Sequence, residues 1–383
     1  MGLKQRTSAP RESTTPDRSP DAFFLWPFAA ARVATERMSW WLDALGRPPA
    51  EANTAPASDW TTPNDVALQL TSMQLRDFAS APDGQPALVC APFALHNALI
   101  ADFAPGHSIV EALRANGVTR VFVTDWRSAT AEMRYLSIDS YLADLNVAVD
   151  EIGPPVDLVG LCQGGWLALV YAARFPHKVR RLVLAGAPID MRATSNLSRL
   201  TAAVPSAGFD ELVRRGEGIV NGRHMSQFWS TAQGLDPDDA LQRALSCAPE
   251  QIALYRERFR AWDENPLDLP GTYYLEVVHR IFRDNQIAEN RFVALGRRVR
   301  LSDVTAPLFL VTAADDEVVP APQTLAAARL VGTPAALVER ADESCAHLAL
   351  FMGSGALRNC WPRVARWLAT EADAVADRKT AVR

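Results

Sequence analysis

Short apolar runs alternate with amphipathic stretches along most of this chain. Residues 87–91 and 120–124 are strand-like, and between them 108–116 carries a helical pattern that Gly117 closes. Residues 138–151 repeat the helical pattern and stop at Gly153. Val156–Leu161 is a further apolar run and Val179–Ala185 a further strand candidate, with a helical pattern between them. This alternation predicts a mostly parallel central sheet with helices on both faces. The rhythm changes near Met191. From there to about Asn290 the chain reads as helical and aromatic, with Phe228, Trp229, Tyr255, Phe259, Trp262, Tyr273, Tyr274 and Phe282. Strand-like runs return at 306–313 and 335–339, followed by a helix over 357–374. Residues 191–295 therefore read as a helical insertion between sheet strands, where a cap over a site would lie. No internal repeat interrupts this plan.

The flanks change the picture little. Residues 1–22 are rich in Ser, Thr, Pro, Arg and Asp and read as a disordered leader. Residues 23–64 read as an amphipathic helix (23–45) and a linker containing Pro48, Pro49, Pro56 and Pro63. The core is expected over 65–190 and 296–375, with 376–383 as a tail. Apolar residues make up 48% of the 383, enough for a substantial core. Net charge is −5 and no long basic stretch occurs, which argues against nucleic acid as the main partner. The apolar run 22–31 is too short to span a bilayer and is interrupted by Pro27, so no transmembrane segment is expected. A secretory signal would begin nearer Met1 and lack Glu12, Asp17 and Asp21. Five cysteines, Cys90, Cys162, Cys247, Cys345 and Cys360, are widely spaced without a Cys-x-x-Cys pair. That pattern argues against a disulfide framework or a zinc site and suits a reducing cytoplasm.

The chemistry concentrates where Val156–Leu161 ends. Gly160-Leu161-Cys162-Gln163-Gly164-Gly165 joins an apolar run to a helical pattern, the setting of a nucleophile elbow with cysteine in the serine position. So tight a turn requires nearly side-chain-free neighbours, hence the glycines. A thiol at a helix start is also easier to ionise. A nucleophile needs a base, and the base an orienting acid. In the α/β-hydrolase order the acid follows a late strand and the histidine follows the last one. Asp315 and Asp316 satisfy the first condition and His347 the second. His96 could border an oxyanion site, while His107, His177, His224 and His279 read as packed or solvated residues. Two backbone N–H groups would complete an oxyanion hole, one from Gln163 and one near Phe93 or Ala94. Cys345 reads as a small buried residue.

At these residues the chain resembles polyhydroxyalkanoate synthases, α/β-hydrolase-fold acyltransferases with a cysteine nucleophile. The elbow is similar to their Gly-x-Cys-x-Gly-Gly box, and its glutamine to the short synthases that work with a second subunit. The run 121–127, ending in Trp126 and Arg127, resembles their strand ending in Trp, and 135–141 their Leu-x-x-x-Asp-Tyr segment. Trp262, Leu269-Pro270-Gly271 and 283–286 recur at the family's spacing in the cap. Asp316-Glu317-Val318-Val319-Pro320 resembles their Asp-His-x-Val-Pro run, which selects Asp316 over Asp315, and His347–Leu350 stands for their Gly-His-x-x-Gly loop. The resemblance covers about 85–370. It implies a triad of Cys162, His347 and Asp316 that polymerises 3-hydroxyacyl-CoA through a cysteine acyl-enzyme, with no metal and no cofactor beyond that substrate. The partners it implies are the polyester chain, a second synthase subunit or a second copy, and the surface of cytoplasmic polymer granules. Ala346 and Ala349 depart from the family's glycines and Glu317 from its histidine, and the long synthases' N-terminal domain has no counterpart. Residues 188–192 and 344–348 also resemble intracellular polyhydroxyalkanoate depolymerases, whose elbow has proline after Cys-Gln. Depolymerisation, thioester hydrolysis and an inactive granule-associated protein are thus the alternative functions.

Overall fold

The computed structural model describes residues 59–226, 237–246 and 249–370. The expected leader, N-terminal helix and tail, and Phe228, Trp229 and Cys247, lie outside them. The central sheet comprises β1 (Asp65–Gln69), β2 (Met73–Asp77), β3 (Pro86–Cys90), β4 (Arg120–Trp126), β5 (Val156–Leu161), β6 (Val179–Ala185), β7 (Leu308–Ala313) and β8 (Val338–Glu343). The strand order is β1-β2-β4-β3-β5-β6-β7-β8. The pairings from β4 through β8 are parallel, and β1 and β2 add an antiparallel edge. Every residue of β3, β5 and β7 is buried, the signature of strands covered on both faces. The edge strands β1 and β8 carry polar, partly exposed residues instead.

Helices α1 (Ile109–Ala115), α2 (Ile138–Ile152) and α3 (Gln163–Arg174) make the crossovers. Local chemistry sets their ends. The Ser108 hydroxyl accepts from the Glu111 N–H, and Ser137 and Ser140 form a reciprocal capping box on α2. Gly153 ends α2 at φ +90°, a conformation open to glycine.

Between β6 and β7 the described residues contain α4 (Asn196–Ala203), α5 (Ser206–Arg215), α6 (Pro237–Leu245), α7 (Pro249–Asp263) and α8 (Gly271–Glu276). A π-helical turn, Val277–Arg283, extends α8. Two short antiparallel pairs occur here, Ile219–Val220 with Leu269–Pro270 and Val293–Ala294 with Arg297–Arg298, and neither joins the central sheet. Beyond β7 come α9 (Ala321–Leu325), α10 (Ala327–Leu330), α11 (Ala349–Met352), α12 (Ser354–Asn359) and α13 (Trp361–Ala369).

Two expectations are corrected. The run at 335–339 is not a strand from its start: Ala335–Leu337 forms a 3-10 turn after Pro334, and β8 begins where Val338 pairs with Leu308. The final helical pattern is two helices that meet at Cys360, because Pro362 lacks the N–H needed inside a helix and starts a new one.

Candidate active site

The carboxyl ends of the parallel strands bring the expected residues together, at the point where the strand order reverses between β3 and β5. The turn after β5 has almost no spare volume. A Cβ on Gly160 would lie 2.5 Å from the Gly165 Cα, one on Gly164 2.1 Å from the Cys90 carbonyl oxygen, and one on Gly165 2.4 Å from the Ala187 Cβ. Each glycine is therefore fixed by contact rather than by turn preference alone. The compression forces Cys162 to φ +48°, ψ −121°, a strained conformation for a residue with a side chain. The Cys162 N–H donates to the Ala185 carbonyl at 2.9 Å and so ties the turn to β6. Gln163 is the first residue of α3, where N–H groups have no intrahelical acceptor.

His347 lies in the turn between β8 and α11, one residue before the Leu348 N-cap. Its Nε2 lies 3.2 Å from Cys162 Sγ, and its Nδ1 lies 2.6 Å from Asp316 Oδ2. Asp316 follows β7, and its other oxygen accepts the N–H groups of Val318 (2.9 Å) and Val319 (2.7 Å). Both Asp316 and His347 are buried. Burial alone would depress the His347 titration, but the facing Asp316 and Cys162 charges outweigh it and hold the imidazole well above its ordinary range. Such a relay can take a proton from a thiol and return it to a leaving group. Asp315 is exposed, and its backbone N–H donates to the Cys345 carbonyl.

The other histidines stand apart from this relay. His107 is buried with Nδ1 2.7 Å from the Met352 carbonyl. His96 stacks on Trp262 at 4.1 Å, with Nε2 3.0 Å from Asp263 Oδ1. His177 is exposed, and His279 meets Phe209 edge-on. Cys90 and Cys360 are buried, and burial pushes both thiols up to about 12. Cys345 is half-buried, and burial and nearby carboxylates push its thiol up to about 12 as well. Glu317 pairs with Arg243 of α6 at 3.0 Å.

Phe93 and Ala94 lie in the loop after β3, with Phe93 buried. Sequence reasoning overlooked how this loop is held. Trp126 donates to the Ala91 carbonyl at 2.8 Å and Tyr273 to the Phe93 carbonyl at 3.2 Å. The resemblance had singled out Trp126 without a role, and Tyr273 was only one aromatic among several in the insertion. Its place two residues after Leu269-Pro270-Gly271 was the available signal.

The chain matches the alpha/beta hydrolase fold family over residues 91–353, more than half its length, and belongs to that family. Among curated relatives it is similar to the poly(3-hydroxyalkanoate) polymerase subunit PhaC of Allochromatium vinosum. The two are 27% identical over 309 residues, 75% of this chain and 82% of the relative. The protein of the same name from Haloferax mediterranei is 24% identical over 334 residues, 82% of this chain and 65% of the relative. Among solved structures the monoacylglycerol lipase of Paleococcus ferrophilus superimposes with a TM-score of 0.51 at 15% identity, covering 78% of this chain and 99% of that one. That likeness speaks to the fold alone.

Proposed function

We propose that this chain is an acyltransferase of polyhydroxyalkanoate metabolism that polymerises 3-hydroxyacyl-CoA through an acyl-enzyme on Cys162. The observation that carries the reading is the Cys162–His347–Asp316 relay, with 3.2 and 2.6 Å between successive partners, in a chain that is similar over most of its length to curated polymerase subunits. In this reading His347 takes the proton of the Cys162 thiol. The thiolate attacks the thioester carbonyl, and backbone N–H groups, that of Gln163 first among them, stabilise the oxyanion. Collapse expels CoA thiolate, which His347 protonates. The 3-hydroxyl of the acyl group or chain that accepts the next unit then attacks the acyl-enzyme, with His347 and Asp316 handling its proton. Donor and intermediate are both thioesters, so the first exchange is nearly balanced. The reaction needs no metal or redox cofactor.

The finer parts of the proposal concern partners. A second polymerase subunit or a second copy would complete the enzyme, and the polymer granule in the cytoplasm would be its place of work. The relatives' names, which call them subunits, and the aromatic residues Phe23, Phe24, Trp26, Phe28, Trp40 and Trp41 favour this. Among the described residues no helix is long and apolar enough to cross a membrane.

The test is incubation with 3-hydroxybutyryl-CoA, with and without a partner subunit, following free CoA and polymer together. Release of CoA with polymer is the expected result. Release without polymer would indicate a thioesterase, and no release in either condition would contradict acyl transfer.

A further inference from the structure

We propose that Tyr273, carried by the helical insertion, positions the second oxyanion donor by holding the carbonyl of Phe93. The inference rests on the acyl-transfer reading of the site. Four alternate carbonyls of the loop after β3 are occupied. Trp126 Nε1 donates to Ala91 at 2.8 Å, Tyr273 Oη to Phe93 at 3.2 Å, the Leu267 N–H to Leu95 at 2.6 Å and Trp262 Nε1 to Asn97 at 3.4 Å. Three of these donors, Trp262, Leu267 and Tyr273, come from one stretch of the insertion.

In a trans peptide the C=O of one residue and the N–H of the next point in opposite directions. Fixing the Phe93 carbonyl therefore fixes the direction of the Ala94 N–H. The Phe93 N–H belongs to the preceding amide, with Pro92, so the tether acts on one of the two candidate donors, Ala94 rather than Phe93. The loop also abuts the elbow: a Cβ on Gly164 would overlap the carbonyl oxygens of Cys90 and Ala91. Burial raises the Tyr273 hydroxyl well above its ordinary titration, so it stays a neutral donor. Its ring packs on Phe93 at 5.1 Å and on Tyr141 at 4.8 Å. Losing the hydroxyl alone would leave that packing in place. Docking of the insertion and assembly of the oxyanion site are then one event.

Tyr141 supplies an internal control. Its ring lies 4.7 Å from that of Phe93, but its buried hydroxyl has no hydrogen-bond partner among the described residues. Tyr273→Phe and Tyr141→Phe should be compared in the full-length chain. Single-turnover acylation by p-nitrophenyl acetate reads the oxyanion site whatever the natural acyl group, and alkylation by iodoacetamide reads the thiol without forming an oxyanion. The expected result is acylation slowed about 10- to 100-fold by Tyr273→Phe, less than for outright loss of a donor. Alkylation, and its dependence on pH, should stay within about twofold of wild type, the ordinary scatter of a change that leaves the nucleophile alone. Tyr141→Phe should match wild type in both assays. Wild-type acylation in Tyr273→Phe, an equal fall of acylation and alkylation, or an equal loss in Tyr141→Phe would overturn the proposal. A wild-type chain that is acylated yet turns over no 3-hydroxybutyryl-CoA either with or without a partner subunit would overturn the substrate reading and leave this proposal standing. A wild-type chain that is not acylated at all would overturn both.

Discussion

The turn that carries Gln163 and the loop that carries Phe93 and Ala94 are held by opposite means. The turn is shaped mainly by its own glycines, pressed against each other, against the end of β3 and against Ala187. The loop is held by aromatic donors 35, 180 and 165 residues away in sequence. One support is steric and mostly local, the other directional and remote. A steric support fails when atoms are added, whereas a directional one fails when a single donor is removed.

That contrast orders the predictions. Cys162→Ala should lower acyl transfer by about 10⁴-fold or more, as expected when a covalent nucleophile is lost. Activity within about tenfold of wild type would remove Cys162 from its proposed role. Asp316→Asn should cost about 10⁴-fold in kcat, because the amide can no longer hold His347 in the required tautomer. A steady-state assay with 3-hydroxybutyryl-CoA reads this directly, and a loss confined to KM would contradict it.

Gly165→Ala sharpens the comparison on the steric side. Its new methyl would sit 2.4 Å from Ala187 Cβ, and overpacking of this kind costs about 1–3 kcal/mol. Urea unfolding should show that loss together with a fall in activity, whereas Tyr273→Phe should lose activity with little loss of stability. If Gly165→Ala were fully stable and active, the elbow would be less compressed than described.

The His347 titration gives a pH dependence. Its folded value is raised, so its contribution to stability is fully present below the unfolded value of about 6.5. The contribution is lost as pH rises through the higher folded value. The stability gap between wild type and His347→Gln, measured by urea unfolding from pH 6 to 9, should therefore narrow with rising pH. A gap that widened would contradict the sign. The smallest effect belongs to Glu317→Gln, which breaks the ion pair with Arg243. Both side chains are at least one-third exposed (33% and 45%), so the change should stay below about 1 kcal/mol.

The same contrast explains what the sequence disclosed. The parallel sheet was legible because β3, β5 and β7 are mostly apolar runs that alternate with helical patterns, and the elbow because its steric demands fall largely within six adjacent residues. His347 was legible from chain order, since it follows the last strand, whereas chain order left Asp315 and Asp316 both open and the resemblance selected Asp316. Tyr273 was not legible, because its partner is a backbone carbonyl, which leaves no mark on the identity of Phe93. The start of β8 was misplaced because Ala335–Leu337 are as apolar as a strand, and only Pro334 and the pairing of Val338 with Leu308 decide otherwise.

The central claim is that acyl groups pass through the Cys162 thiol. Intact-protein mass spectrometry after brief mixing with 3-hydroxybutyryl-CoA, followed by peptide mapping, tests it most directly. A 3-hydroxybutyryl adduct on the peptide containing Cys162, accompanied by free CoA and absent from Cys162→Ala, is the predicted result. CoA release with no adduct on that peptide, or an adduct that persists in Cys162→Ala, would contradict it.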